Sequence, residues 1–266
     1  MASPLKYTSK LQNKNVLVLG GTSGVGYSVA EAAIEHGANV TISGSNEPKL
    51  ADALARLRQA ANPHAARIAG KTCDLSDTAG LEANLTSLLA FATSDAAQRL
   101  DHVVFTAGDR LKVIPLTDAT ASAVTDAFAI RFVAPLILAK LLPRFAHTDQ
   151  AASSLTLTGG VTARRPQPGF AVLAGLGSAV EGLMRGLAVE LKPMRVNIVS
   201  LGAVKTEIFT SLPEDMLETI VQNYNAQALV GGIGRPEDVA EAYVYCMKDA
   251  FATGSVLETD GGIMLT

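Results

Sequence analysis

Three glycines set the first chemistry that this sequence could do. Gly20, Gly24 and Gly26 follow the apolar run Val16-Leu17-Val18-Leu19, and the residues after them, Tyr27 to His36, carry a helical pattern. A strand that turns tightly into a helix brings backbone N–H groups and the positive end of a helix dipole to one point, where a phosphate can sit. The spacing Gly20-x3-Gly24-x-Gly26 differs from G-x-G-x-x-G, but the roles carry over: a tight turn, a close backbone approach and close helix packing. Glycines also mark plain turns, yet this strand-to-helix context reads as a dinucleotide site.

Other chemistry-bearing residues follow at the ends of strand-like runs. The second such run, Ala38 to Ser43, finishes Ser43-Gly44-Ser45-Asn46. Enzymes selective for NAD place an acid about 20 residues beyond the glycines to hold the ribose 2′-hydroxyl. Here Ser43, Ser45 and Asn46 offer hydroxyls and an amide that accept a 2′-phosphate, which a carboxylate would repel. NADP(H) is therefore expected over NAD, with Lys49 reaching in for the arginine that is missing at Ser45. Asp74 closes a short third strand, Lys71 to Leu75, and either meets the adenine amino group or caps a helix beginning at Thr78. A fourth strand, His102 to Gly108, ends in the small residues Thr106-Ala107-Gly108, as needed where backbone lies along a cofactor, with Asp109 at its carboxyl end. Arg131 sits among Phe128, Ile130, Phe132 and Val133. Its guanidinium is a poor proton donor but can fork onto ribose hydroxyls, a substrate carbonyl or a carboxylate such as Asp109; the plain alternative is a helix-surface arginine.

The elements that position these residues alternate strand and helix along the chain, which predicts an α/β doubly wound (Rossmann) parallel sheet with helices on both faces, one domain over 1–266. Long helices over about Thr120–Phe145 and Gly169–Lys192, flanking a fifth strand at Ser154–Thr158, are apolar on more than one side. That pattern predicts burial against a second copy as well as the sheet, hence a homodimer or homotetramer. After a sixth strand, Val196–Ser200, a helical stretch over 207–229 carrying Phe209, Met216 and Tyr224 reads either as a lid over a small-molecule pocket or as a surface insertion. Gly234-Arg235-Pro236-Glu237-Asp238 opens a further helix, and Gly254 to Gly262 holds the last strand and turn.

Composition excludes several alternatives. With 266 residues, 48% of them hydrophobic and 18% charged, the chain can bury a large core, and a net charge of -3 with a pI near 5.8 argues against nucleic acid. The most apolar helix carries Arg131, Pro135 and Lys140, so no membrane span is expected. Cys73 and Cys246 form no metal or disulfide spacing and His36, His64, His102 and His147 no ligand set, so no metal is expected and the histidines read as surface or capping residues. A reducing, cytoplasmic setting is the corresponding expectation, there being no signal-peptide core in Met1–Lys10.

Taken together these landmarks resemble the short-chain dehydrogenase/reductase family over nearly the whole chain: the Gly20/Gly24/Gly26 spacing, Cys73-Asp74-Leu75, Thr106-Ala107-Gly108, Arg195-Val196-Asn197, Gly202-x3-Thr206, Gly234 to Ala240, and Asp260-Gly261-Gly262 fall in family order. The resemblance implies that Thr22-Ser23-Gly24-Val25 contacts a cofactor pyrophosphate, that Asp74-Leu75 and Thr106–Gly108 line the cofactor, and that Val204 and Thr206, after Gly202, hold the nicotinamide carboxamide or a nearby phosphate. The family's proton machinery is a different matter. Registered on Ala179 to Leu183, its Ser, Tyr, Lys and Asn positions fall at Gly159, Leu173, Gly177 and Arg131, and neither Tyr nor Lys occurs between Ala151 and Val189.

That departure is similar to a divergent fungal branch of the family, the reductases that double as Diels–Alderases in malbrancheamide- and paraherquamide-type indole alkaloid pathways. The branch likewise lacks the Tyr/Lys pair, keeps an arginine at the place of Arg131, and has a Pro-Asp-Pro-Gly-Trp loop where this chain reads Pro166-Gln167-Pro168-Gly169-Phe170. Hydride addition to a ketone makes an alkoxide that needs a tuned proton donor, whereas addition to an iminium ion gives a neutral amine directly. The resemblance thus implies an NADP(H)-dependent enzyme that reduces an imine or iminium, guides an intramolecular [4+2] closure, or both, with Arg131, Asp109 and Gln167 at the reacting centre. Leu173 and Gly177 leave a wider, more apolar space for a bulky apolar substrate. Two other readings stand beside it: a catalytically silent NADPH-binding sensor or partner subunit, and a carbonyl reductase using another donor such as Tyr224 or Asp109.

Overall fold

The computed structural model describes residues 6–60, 67–109, 113–207 and 214–266. Seven strands, all parallel, form one sheet in the order β3-β2-β1-β4-β5-β6-β7. They are β1 (Asn15–Leu19), β2 (Asn39–Gly44), β3 (Ile68–Thr72), β4 (His102–Phe105), β5 (Ser154–Gly160), β6 (Arg195–Leu201) and β7 (Val256–Thr259). The central strands are short apolar runs because both of their faces are covered: every residue of β4 is buried, as are Val16 to Leu19 of β1. Strand order reverses between β1 and β4, where Val16 pairs with both Val40 and His102. Ligand crevices in such sheets open beyond the carboxyl ends of the strands at that reversal.

Two hydrophobic clusters fill the spaces above and below the sheet. One lies under α1 (Gly24–Glu35), α2 (Glu47–Ala60) and the later helix α8 (Pro236–Lys248), with Val29, Ile34, Leu57, Val104 and Tyr243 in it. The other lies under α3 (Leu81–Ala92), α5 (Ala134–Phe145) and α6 (Ala171–Glu190), built on Leu85, Phe105, Leu142, Leu157 and Met184. Between α4 (Ala121–Phe128) and α5 the helix continues through one π turn, Ala129–Val133, and α7 (Glu214–Gln227) follows β6. The start of α8 matches its sequence signals in detail: Pro236 stands at the first turn, Glu237 and Asp238 follow, and Arg235 forks onto Asp238 from the N-cap. At its other end the buried Arg195 donates to Cys246 O and Met247 O, so a cation completes the last carbonyls of the helix.

Several expectations need correction. β3 runs over Ile68–Thr72 rather than Lys71–Leu75, because after Thr72 the chain turns: Cys73 N–H donates to Gly44 O, and the Cys73 and Leu75 side chains enter the core. α3 begins at Leu81, not Thr78. By length and apolarity both Ala121–Phe145 and Ala171–Glu190 could cross a membrane, which the interruptions at Arg131, Pro135 and Lys140 do not prevent. Here the same helices spend Leu138, Leu142, Leu176 and Met184 on the core under the sheet. Phe209 and the side chain of Met216 lie outside the described residues, as does His64.

His102 is neither a surface nor a capping residue. It lies inside β4, 2% exposed, with Nδ1 2.9 Å from Ser154 Oγ. Burial lowers its pKa to about 3, so the folded protein holds the neutral ring. An unfolded chain takes up the proton below about pH 6.5, so stability is lost as the pH falls from there toward 3. At pH 5 this amounts to about 2 kcal/mol, and His102→Asn should remove that slope from a series of denaturant melts between pH 7 and pH 5.

Candidate active site

The strand-reversal crevice is built by backbone packed on backbone. Gly20 has a φ of +87° and lies so close to β4's exit that an added Cβ would stand 2.6 Å from Ala107 N. Gly26 is tighter still, with such a Cβ 2.3 Å from both Gly20 O and Thr106 Oγ1. Gly20 and Gly21 N–H donate to Ser43 O, and Thr106 Oγ1 donates to Leu19 O at 2.9 Å. These bonds hold the turn open toward solvent at Thr22, Ser23 and Gly24, all half-buried, where α1 begins without a side-chain cap on Ser23. Ser23 thus places no side chain over the N-terminus of this 12-residue helix, where the dipole favours an anion such as a dinucleotide pyrophosphate, and Glu207 Oε2 stands 3.4 Å from where a Cβ on Gly24 would be. Val25 faces the core. Thr206 closes the other side, its Cγ2 3.0 Å from where a Cβ on Gly24 would be.

Around this cradle the expected contacts divide. Ser43 is 2% exposed, so burial keeps its hydroxyl from the surface where a 2′-phosphate would lie, and its carbonyl accepts from the glycine turn. Ser45, Asn46 and Lys49 are exposed beyond β2, and the Asn46 amide oxygen caps α2 by accepting Lys49 N–H at 3.0 Å. Asp74 does not cap a helix. Its Oδ1 accepts from Ser76 N–H and Ser76 Oγ, bonds that hold its pKa low. Leu75 is a core residue, able to touch a cofactor only through its backbone, and the Thr106 hydroxyl is spent on β1. Gly202 is needed for the close passage of Asp260, whose Cα would stand 2.8 Å from a Cβ at that position, while Val204 is buried in a bridge with Gly234.

Arg131 is the best-placed charged group. It sits in the π turn, a form of helix frequent at functional sites, and its guanidinium lies flat over Gly108, where an added Cβ would be 2.5 Å from Cζ, Nη1 and Nη2. Nη2 donates to Asp109 O and Nε stands 3.5 Å from Asp109 Oδ1. Burial pulls its pKa down and Asp109 pulls it up, the first being larger, yet an arginine remains charged. Gly108 is therefore small to admit Arg131, a requirement that its place at the end of a strand does not reveal.

These features sit on a chain whose residues 7–266 match the model of the SDR-like Rossmann domain. The chain belongs to the short-chain dehydrogenase/reductase family. The short-chain dehydrogenase/reductase malC of Malbranchea aurantiaca is 45% identical over 268 residues, covering 100% of both chains. The structure of the MalC reductase/Diels–Alderase from the same fungus superimposes with a TM-score of 0.92, covering 98% of this chain and 100% of that one. The relative fsr5 of Gibberella fujikuroi is 41% identical over 270 residues, again 100% of each. A small-chain dehydrogenase solved in complex with NADPH is 25% identical, with a TM-score of 0.73 over 96% of this chain and 100% of that one. A nicotinamide cofactor thus fits both the family and the cradle.

The positions where the family's acid machinery registers are filled by packing. Leu173 is 7% exposed. A Cβ on Gly177 would stand 2.9 Å from Ala163 Cβ, and one on Gly159 the same distance from Ile198 Cδ1. The space expected from losing Tyr and Lys is therefore occupied, at Gly177 by the helical turn Val161–Ala163. Among the described residues a cleft of about 40 Å³ is lined by Val161, Thr162, Arg165, Gln167, Phe170, Tyr224, Gln227 and Ile263. Its lining mixes the apolar Val161, Phe170 and Ile263 with the polar Thr162, Arg165, Gln167, Tyr224 and Gln227. Gln167 reaches it because Pro168 and Gly169, φ +86°, make a tight turn in which Phe170 N–H donates to Gln167 O. Burial pushes the Tyr224 phenol up; Tyr243, the other tyrosine near β5, is wholly buried with its hydroxyl 2.7 Å from Thr158 Oγ1 and its pKa beyond the ordinary range.

The loop Arg164–Phe170 entering α6, expected from the sequence to shape the pocket, lines the cleft through Arg165, Gln167 and Phe170. Arg164 pairs with Glu181 of α6 at 3.2 Å and with Glu258 of β7, and Arg165 bonds Ile263 O and Thr266 Oγ1. Adjacent basic residues before a helix give no sign of which acids they will meet. The coupling of Gly108 to Arg131 is directly measurable: Gly108→Ala should cost about 1–3 kcal/mol in denaturant unfolding, and most of that cost should vanish in an Arg131→Ala background.

Proposed function

We propose that this chain is an NADP(H)-dependent reductase of fungal-type secondary metabolism that acts on an imine or iminium, with the same pocket able to guide an intramolecular [4+2] closure. The observation that carries the reading is that the positions registering with the family's Tyr and Lys are Leu173 and Gly177, which supply neither hydroxyl nor ammonium, together with Arg131 held over Gly108. The resemblance to MalC, named a reductase/Diels–Alderase, agrees with it. The bound cofactor supplies hydride. The chain's own residues do the rest: the amides at the start of α1 hold the pyrophosphate, and Ser45, Asn46 and Lys49 offer donors free of a carboxylate at β2's end to the 2′-phosphate. Arg131, fixed by Asp109, presents its remaining donors to a ribose hydroxyl or a substrate carbonyl. Gln167 can only hydrogen-bond as a neutral group, so proton handling by a carboxylate at that place is absent. A cationic acceptor discharged by hydride needs no acid at that step. A ring closure is assisted by orientation alone.

The partner expected is a small apolar molecule, and α4, none of whose residues is buried, is the face that we assign to a second copy of the chain in a cytoplasmic homo-oligomer.

Purified protein mixed with NADPH and either 3,4-dihydroisoquinoline or a cyclic ketone should consume nicotinamide absorbance with the imine and not the ketone. Ketone turnover at comparable rates would overturn the reading, and NADPH binding without turnover of any acceptor would favour the sensor. Arg131→Ala should cut imine turnover at least tenfold. Leu173→Tyr combined with Gly177→Lys should fail to create ketone reduction unless Ala163→Gly is added, because the lysine Cβ meets Ala163 first.

A further inference from the structure

The Asp260-Gly261-Gly262 turn and the residues after it have no part in the reading above, yet they end in the cleft. Gly261 and Gly262 both adopt left-handed backbone, with φ of +68° and +79°. Asp260 Oδ1 fixes the bend by accepting Gly262 N–H at 2.8 Å. A Cβ on Gly262 would stand 2.9 Å from Leu229 Cδ1, so the bend lies directly on the chain leaving α7. It delivers Ile263, 4% exposed, as an apolar wall of the cleft opposite Gln167 and Phe170. The segment after it has little else to hold it: Leu265 is 82% exposed and forms one backbone bond, to Gly262 O. Its anchor is Arg165, from the loop that also carries Gln167, which donates to Ile263 O and to Thr266 Oγ1 at 3.1 Å, while Thr266 Oγ1 itself donates to Ile263 O.

We infer that Arg165 is a positioning residue: by tying Ile263–Thr266 to the Gln167 loop it sets the width of the substrate cleft and so decides which substrates fit. The inference rests on the cleft being the substrate site of the reductase proposed above, but the tie itself can be tested apart from turnover. Both bonds leave from one nitrogen, Nη1, held at the end of a rigid planar group whose charge also acts on the Tyr224 phenol in the cleft lining. A lysine keeps the charge but not the planar geometry that aims this nitrogen.

Two measurements separate the tie from the function. Hydrogen exchange of the amides of Ile263–Thr266 should quicken at least tenfold in Arg165→Met and less in Arg165→Lys, with the β1 and α1 amides unchanged. Thr266→Val, which leaves the Ile263 bond in place, should give a smaller rise and guards against misfolding of the arginine variants. In steady-state assays with NADPH and 3,4-dihydroisoquinoline, Arg165→Met should raise KM for the imine at least tenfold with kcat within twofold and NADPH affinity unchanged, and Arg165→Lys should recover part of it. Unchanged exchange in Arg165→Met would overturn the tie. Faster exchange with unchanged KM would overturn its role in substrate fit. If the wild-type protein reduces no imine, the proposed reaction fails while the exchange data still decide whether Arg165 holds the segment.

Discussion

The constraint on which the rest depends is the approach of two backbones, β1's exit at Gly20 and β4's exit at Ala107, to a distance that no side chain could share. Gly26 repeats the condition six residues later, against Gly20 O and Thr106 Oγ1. With these contacts made, α1 begins at the reversal crevice, and the Gly108–Asp109 segment is delivered to a place where Arg131 can lie over it. The candidate nucleotide cradle and the Gly108–Arg131 contact are therefore two sides of one packing arrangement.

Much of this is legible in the sequence because the relevant signals are local. Apolar runs of four to seven residues between helical patterns mark the central strands, and the glycine spacing marks the cradle. Pro236, Glu237 and Asp238 mark the start of α8. The reversal of strand order follows from alternation and a parallel sheet. What is not legible lies in contacts between distant residues. Asp74 reads equally well as a cap or an adenine contact until Ser76 is seen to take its oxygen, two residues away but in a turn whose shape depends on Gly44. His102 reads as a plain polar residue until Ser154, on the neighbouring strand, is seen to accept or donate at its ring.

The candidate site shows the same division more sharply. Leu173 and Gly177 at the positions registering with Tyr and Lys are visible at once, but the packing around Gly177 is not, since Ala163 reaches it from another element. Arg131 is visible as an odd charge among apolar neighbours, yet its resting place depends on Gly108, 23 positions earlier. Arg164 and Arg165 stand side by side and go opposite ways, one to acids on α6 and β7, the other to the carbonyl of Ile263. Volume, partner and direction are tertiary quantities, and residue type alone leaves them open.

The pairing of α1 with α8 has a consequence for how the molecule is made. The helix that carries the cradle packs against one that begins at Pro236, about 200 residues after α1 ends at Glu35. At ribosomal speeds of roughly 5–20 residues per second, the apolar side of α1 at Val29 and Ile34 waits on the order of 10–40 s for its cover. During that interval the nascent polypeptide exposes a sticky helix beside an unfinished parallel sheet, and shielding by chaperones in the exit environment is the natural demand that this topology makes on the cell.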